Sequence, residues 1–171
     1  MSSSTVVPNK LLSIVNRINS TAPTFLRSPL LSYVFDSNIK YAGTTGIEIV
    51  EWNTHQVVVN LKNRRKIQNH LGGIHATAMA TLAESTSGMI FGIHLNDTTH
   101  IPLLKRMEIQ YVKRAIGDLQ AVATITQDQI DEIQTTSKGS SIIQVNVTDD
   151  TGNEPIKCEM EWAWTTKKSK K

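Results

Sequence analysis

At 171 residues the chain fits a single domain, and with one cysteine, Cys158, it can form neither an intrachain disulfide nor a thiol-based metal site. No apolar run of about 18 residues is present, so no membrane-spanning helix is expected, and the lone thiol suits a reducing, cytoplasmic setting. A net charge of +3 with three Phe, three Tyr and three Trp, and no binding motif beside the basic residues, argues against nucleic acid as a partner.

In chain order, Leu11, Ile14, Val15 and Ile18 recur at helical spacing, so Asn9 to Asn19 reads as an amphipathic helix. The same stretch carries Lys10 and Arg17, Arg27 comes soon after, and no acid comes before Asp36, as in a mitochondrial transit peptide. Covering helix and leader both remain open. Pro23 and Pro29 punctuate the next stretch, with a short helix or turn at Leu30–Phe35. Gly43 and Gly46 are expected to open a strand through Ile47, Ile49 and Glu51. Asn53–His55 then turns the chain into a second strand, Gln56–Leu61. Gly73 to about Ile93 is free of proline and rich in small and apolar residues, the pattern of a long, mostly buried helix. Further strands are expected at Leu104–Lys113, Leu119–Thr126, Ser140–Thr148 and Ile156–Thr166, with a short helix over Asp128–Thr136. The expected layout is an N-terminal helical extension over residues 1–40, an α+β domain over 41–166 in which an antiparallel sheet of about six strands wraps one long central helix, and a basic tail over 167–171.

Lys167, Lys168, Lys170 and Lys171 make that tail solvated by mutual repulsion. A second cluster, Lys62, Arg64, Arg65 and Lys66, precedes the segment Asn69–Glu84 and would suit a phosphate-bearing ligand such as coenzyme A. Gly72 and Gly73, with small residues after them, let a ligand approach the helix start closely. Free N–H groups and the positive dipole end there would polarise a carbonyl oxygen. Asn69 is placed to hold that carbonyl or a water. Glu84, in mid-helix near Thr77, Ala80, Thr81, Ser87, Gly88 and Phe91, is either a partly desolvated base facing a cleft or a carboxylate on an exposed strip; the residues alone leave both open. His75 lies nine positions from Glu84, on the opposite side of a regular helix, so the two are no dyad by spacing. His70, His94 and His100 show no metal-ligand spacing, and no HExxH, GxSxG, GxGxxG or Walker-type loop occurs, so no metal and no cofactor is expected.

Asn69, His75, Ala76 and Glu84 reproduce the spacing of the hotdog-fold thioesterases of the PaaI-like group. The chain from Thr44 to Thr166 resembles that acyl-CoA thioesterase superfamily, in particular through TGIEIVEW, NRRKIQNHLGGIHA and RMEIQYVKRAIGDLQAVATI. The resemblance implies a homodimer, or a tetramer built of dimers, with sites at the subunit interface. It implies Glu84 as base or nucleophile, Asn69 positioning water or thioester, and the Ala76 N–H polarising the carbonyl. His75 would shape the helix mouth beside Gly73 and Thr77, and Arg64, Arg65, Lys105 and Lys113 would meet the phosphates of an acyl-CoA substrate. Two positions depart from the family pattern: Ala76 stands where Gly is usual, and Leu104 falls where some relatives carry a hydroxyl. An acyl-binding protein without turnover and a dehydratase using His75 are therefore kept as alternatives.

Overall fold

The structure, a computed structural model, describes residues 9–167; the Ser-rich start and Lys168, Lys170 and Lys171 of the tail lie outside the described residues. Six strands, β1 (Ile47–Trp52), β2 (Gln56–Leu61), β3 (His100–Tyr111), β4 (Leu119–Thr124), β5 (Gly139–Asp149) and β6 (Ile156–Thr166), form one sheet in the order β1-β2-β4-β5-β6-β3. Every neighbouring pair is antiparallel. The turn expected at Asn53–His55 is an Asx turn: Asn53 Oδ1 accepts from the amides of His55 and Gln56, which sets Trp52 opposite Val57. Alternation then sorts the faces, with Leu119, Ala121 and Ala123 of β4 and Met160, Trp162 and Trp164 of β6 buried.

The long helix, α4 (Ala76–Gly92), packs against β2, β4, β5, β6 and β3, so the sheet curves around it in the hotdog arrangement. Leu82, Ile90 and Phe91 are fully buried in that contact. Phe91 stacks on Trp162 at 5.6 Å and meets Trp164 at 6.1 Å. Two glycines make room for these rings. A Cβ at Gly88 would lie 2.9 Å from Trp162 Cζ2, and one at Gly139 would lie 2.4 Å from Trp164 Cζ2. The short helix α5 (Gln127–Thr135) starts in a capping box between Thr126 and Gln129 and buries Ile130 and Ile133, as the sequence suggested.

The N-terminal layer differs from expectation in two ways. First, α1 (Lys10–Thr21) is followed by a full helix, α2 (Thr24–Asn38), with Pro29 inside it, where only a short helix or turn over Leu30–Phe35 was expected. Pro29 forfeits one bond, to the carbonyl of exposed Phe25, and the loss is offset by burying Leu31 and by setting Phe35 edge-on to Trp52 at 6.2 Å. Second, Gly43 does not open a strand. It lies in a further short helix, α3 (Lys40–Thr45), and Gly46, at φ 76°, closes that helix before β1 begins. The residues that read as leader or cover do cover the domain: Val15 of α1 is fully buried, and Ser32 of α2 accepts the amide of Ile49 on the outer strand β1.

At the other edge, β3 starts at His100 and runs through Pro102, earlier than the Leu104 expected. An edge strand tolerates proline because one side of it needs no ladder donor. No described helix is long and apolar enough to cross a membrane.

Candidate active site

The start of α4 is a turn tied by side-chain hydrogen bonds. The helix opens at Ala76, three residues after the expected Gly73, because His75 takes the N-cap: its Nδ1 accepts from the Thr77 amide at 3.2 Å and stands 2.8 Å from Thr77 Oγ1. Gly72, at φ 76°, lets its amide reach the Asn69 carbonyl. The Asn69 side chain is spent inside this turn, with Oδ1 accepting from Leu71 (2.9 Å) and Gly73 (3.2 Å) and Nδ2 donating to the Ile74 carbonyl at 3.4 Å. The Ala76 carbonyl accepts from Tyr111 Oη at 2.9 Å, while the Ala76 N–H has no acceptor among the described residues.

Eight residues further on, Glu84 is held differently. Thr77, Ala80, Glu84, Gly88 and Gly92 form the less buried strip of α4, whereas Thr81, Ser87 and Phe91 turn into the core. Among the described residues the only hydrogen bond to the Glu84 carboxylate comes from Ser85 Oγ at 3.3 Å, and no cation pairs with it. Burial pushes its carboxyl above the ordinary glutamate range, and the Ser85 bond offsets part of that rise. The carboxylate borders a cavity of about 540 Å³ walled by α4, by α1 and α2 through Ile14 and Phe35, and by Trp162 of β6.

None of Asn69, Gly73, His75, Ala76 or Thr77 lines this cavity. From Ala76 to Glu84 the helix advances roughly 12 Å, so one carbonyl cannot touch both within a single chain. The expected phosphate ligands stand apart from the cavity as well. Arg64 pairs with Glu48 at 2.7 Å, Lys105 with Glu161 at 2.6 Å, and Lys113 donates to Asn153 at 2.9 Å. Arg65, in a single 3-10 turn, has no ion pair among the described residues. The cavity instead brings in Asn9, Lys10, His100, Trp162 and Lys167, which sequence reasoning had not connected to Glu84. The one trace of them was the apolar stripe of α1, of which Leu11 and Ile14 face the cavity. Cys158 offers no alternative nucleophile, since burial pushes its thiol up to about 11. No cluster of three or more metal-ligating side chains exists among the described residues.

Residues 27–164 match the family model described as a domain of unknown function, DUF4442. Among curated proteins none matches the sequence. Solved structures share the fold at low identity. A Pseudomonas aeruginosa protein of unknown function, named "Probable Thioesterase", is 20% identical with TM-score 0.73 over 81% of this chain and 95% of that one. A mutant of a Staphylococcus aureus thioesterase enzyme is 18% identical with TM-score 0.63 over 74% and 98%. A Haemophilus influenzae thioesterase is 12% identical with TM-score 0.60 over 74% and 82%.

Proposed function

The chain belongs to the DUF4442 family, and from that premise we propose that it hydrolyses acyl-coenzyme A thioesters to a free acid and coenzyme A. The observation that carries this reading is Glu84, a half-buried carboxylate without a cation partner among the described residues, raised in pKa and bordering an apolar cavity. Thioesterase names among the structures that share its fold support the same reading. Glu84 takes a proton from water as the water oxygen bonds to the thioester carbon. The C–S bond then breaks, and the proton passes to the departing coenzyme A sulfur. The Ala76 N–H and the α4 dipole would polarise the thioester carbonyl and stabilise the oxyanion that its oxygen becomes in between.

The ~12 Å between Ala76 and Glu84 calls for two chains. In this reading the substrate lies across a homodimer, with the Asn69–Ala76 turn of one protomer facing Glu84 of its partner. Strand β3 supports such an assembly. It is twelve residues long, pairs only with β6 among the described residues, and exposes Ile101, Leu103, Met107 and Tyr111, an apolar edge of the kind that soluble proteins cover.

The test is hydrolysis of acyl-CoAs by the wild type, by Glu84→Gln and by Asn69→Ala. Glu84→Gln should lose about 10²–10⁴-fold. Mixing the two variants and exchanging subunits should restore about a quarter of wild-type activity, because half the dimers then carry one intact site. An unchanged rate in Glu84→Gln rejects the base, and no restoration on mixing rejects the shared site. The committed side chain of Asn69 favours a second reading, an acyl-CoA-binding protein without turnover. Acyl-CoA retained intact in native mass spectrometry would favour it over hydrolysis.

A further inference from the structure

The cavity beside Glu84 has a direction. Along α4 it is bounded by Glu84, Gly88 and Gly92, a span of roughly 12 Å. Past Gly92 it meets a polar stop. Asn9 donates through Nδ2 to the Gly92 and Leu95 carbonyls at 2.8 and 2.7 Å, while its Oδ1 accepts from the Leu11 and Leu12 amides. There too the Lys10 amide donates to Asp97 Oδ2 at 2.9 Å, and Lys167 Nζ donates to the Asp97 carbonyl. The walls between Glu84 and this stop are mainly apolar, built from Leu11 and Ile14 of α1, Phe35 of α2, Ile39 just after it, and Met89 and Trp162. Trp162 Nε1 donates to Ser87 and the Asn9 amide is fully spent, whereas Nε2 of His100, which also lines the cavity, has no hydrogen-bond partner among the described residues.

We propose that the N-terminal helices α1 and α2 make this cavity a length-measuring site for unbranched aliphatic acyl chains of about ten to twelve carbons, with the carbonyl end at Glu84. The length comes from chain geometry: an extended chain advances ~1.2 Å per bond, as an extended peptide covers 3.3–3.6 Å in three bonds, so the span takes about ten bonds. Each methylene buried along the wall raises affinity about fourfold. The gain ends where the chain reaches Asn9, Lys10 and Asp97, because a methylene pressed against polar groups must desolvate them. This inference rests on the thioester-hydrolase reading, which supplies the carbonyl at Glu84.

Gly92 provides the means to test it. A Cβ there would meet nothing within 4 Å, so a side chain at this position enters open space. Leucine also favours the helix more than glycine does, so Gly92→Leu shortens the cavity without weakening α4. The experiment measures kcat/KM for saturated acyl-CoAs from hexanoyl to hexadecanoyl, and dodecanoic acid binding by calorimetry, in wild type and Gly92→Leu. Thermal unfolding of both proteins reports whether the variant folds, and Ile14→Trp, which narrows the cavity from α1, serves as the second variant. The expected result is a wild-type optimum near decanoyl to dodecanoyl, with the dodecanoyl-to-hexanoyl ratio falling about tenfold or more in each variant. Hydrolysis with the same chain-length profile in wild type and variants overturns the measuring site and leaves the hydrolase reading intact. Dodecanoic acid binding that weakens in the variants, with no hydrolysis by the wild type, supports the cavity and sinks the hydrolase. Neither hydrolysis nor binding by the wild type overturns both.

Discussion

The turn at Asn69–Thr77 and the wall at Glu84 belong to one motif and one helix, yet they are built on opposite plans. In the turn two polar side chains have internal partners: Asn69 holds Leu71 and Gly73, and His75 holds Thr77. At the wall a carboxylate is half-buried with a single weak bond from Ser85, beside open apolar volume. Satisfied hydrogen bonds fix a shape, whereas an under-satisfied ionisable group stores a pKa shift that chemistry can use. The motif therefore divides into a part that holds geometry and a part that is free to react.

That division is open to attack, beginning with the largest effect. If Glu84 is the reacting group, Glu84→Gln lowers acyl-CoA hydrolysis by about 10²–10⁴-fold. Asn69→Asp, which keeps the Oδ1 acceptor for Leu71 and Gly73, should then stay within about tenfold of wild type; equal losses in the two variants would erase the contrast. Gly88→Ala tests the packing behind the wall. Its methyl would come within 2.9 Å of Trp162, so denaturant titration should show a loss of about 1–3 kcal/mol. Asn69→Ala removes the two acceptor bonds of the turn and should cost about 1–2 kcal/mol by the same titration. At the small end, Arg64→Ala breaks only an exposed pair with Glu48 and should change stability by well under about 1 kcal/mol.

A pH series sharpens the comparison further. Because burial raises the Glu84 carboxyl in the folded chain, the fold holds its proton more tightly than the unfolded chain does. Stability is then greatest below the ordinary glutamate range and is lost as pH rises through the raised folded value. Glu84→Gln does not titrate, so its melting temperature should exceed wild type at neutral pH and the difference should vanish in acid. A base must also be ionised, so the acid limb of the wild-type kcat/KM profile should lie above the ordinary glutamate range. A limb within that range would mean that the carboxylate is not desolvated.

Much of the fold was legible because local signals agreed with packing. The β-branched run Gln56–Leu61, the alternating Ile156–Thr166 and the capped α5 stand where the sequence placed them. Helix α2 was not legible, because Pro29 signals a break and only tertiary burial of Leu31 and Phe35 overrules it. The candidate site was half legible. Helical spacing placed Ala80 and Gly88 beside Glu84 and separated it from His75, while the choice between a carboxylate at a cleft and one on an exposed strip stayed open. The cavity was out of reach, since its walls come from residues as far apart in the chain as Asn9, Phe35, Trp162 and Lys167. The partner of the cation cluster was not legible either: Lys62 and Arg64 both meet Glu48 on the neighbouring strand β1, a pairing that no spacing rule announces.

The two tryptophans seated on glycines also constrain descent. Gly88 with Trp162, and Gly139 with Trp164, are each a ring and the missing methyl that admits it. In a lineage that exchanges either tryptophan for a smaller side chain, the facing glycine is released to vary, while a lineage that keeps the ring must inherit the glycine with it. The two positions of each pair should therefore change together among relatives, though they lie 74 and 25 residues apart in the chain.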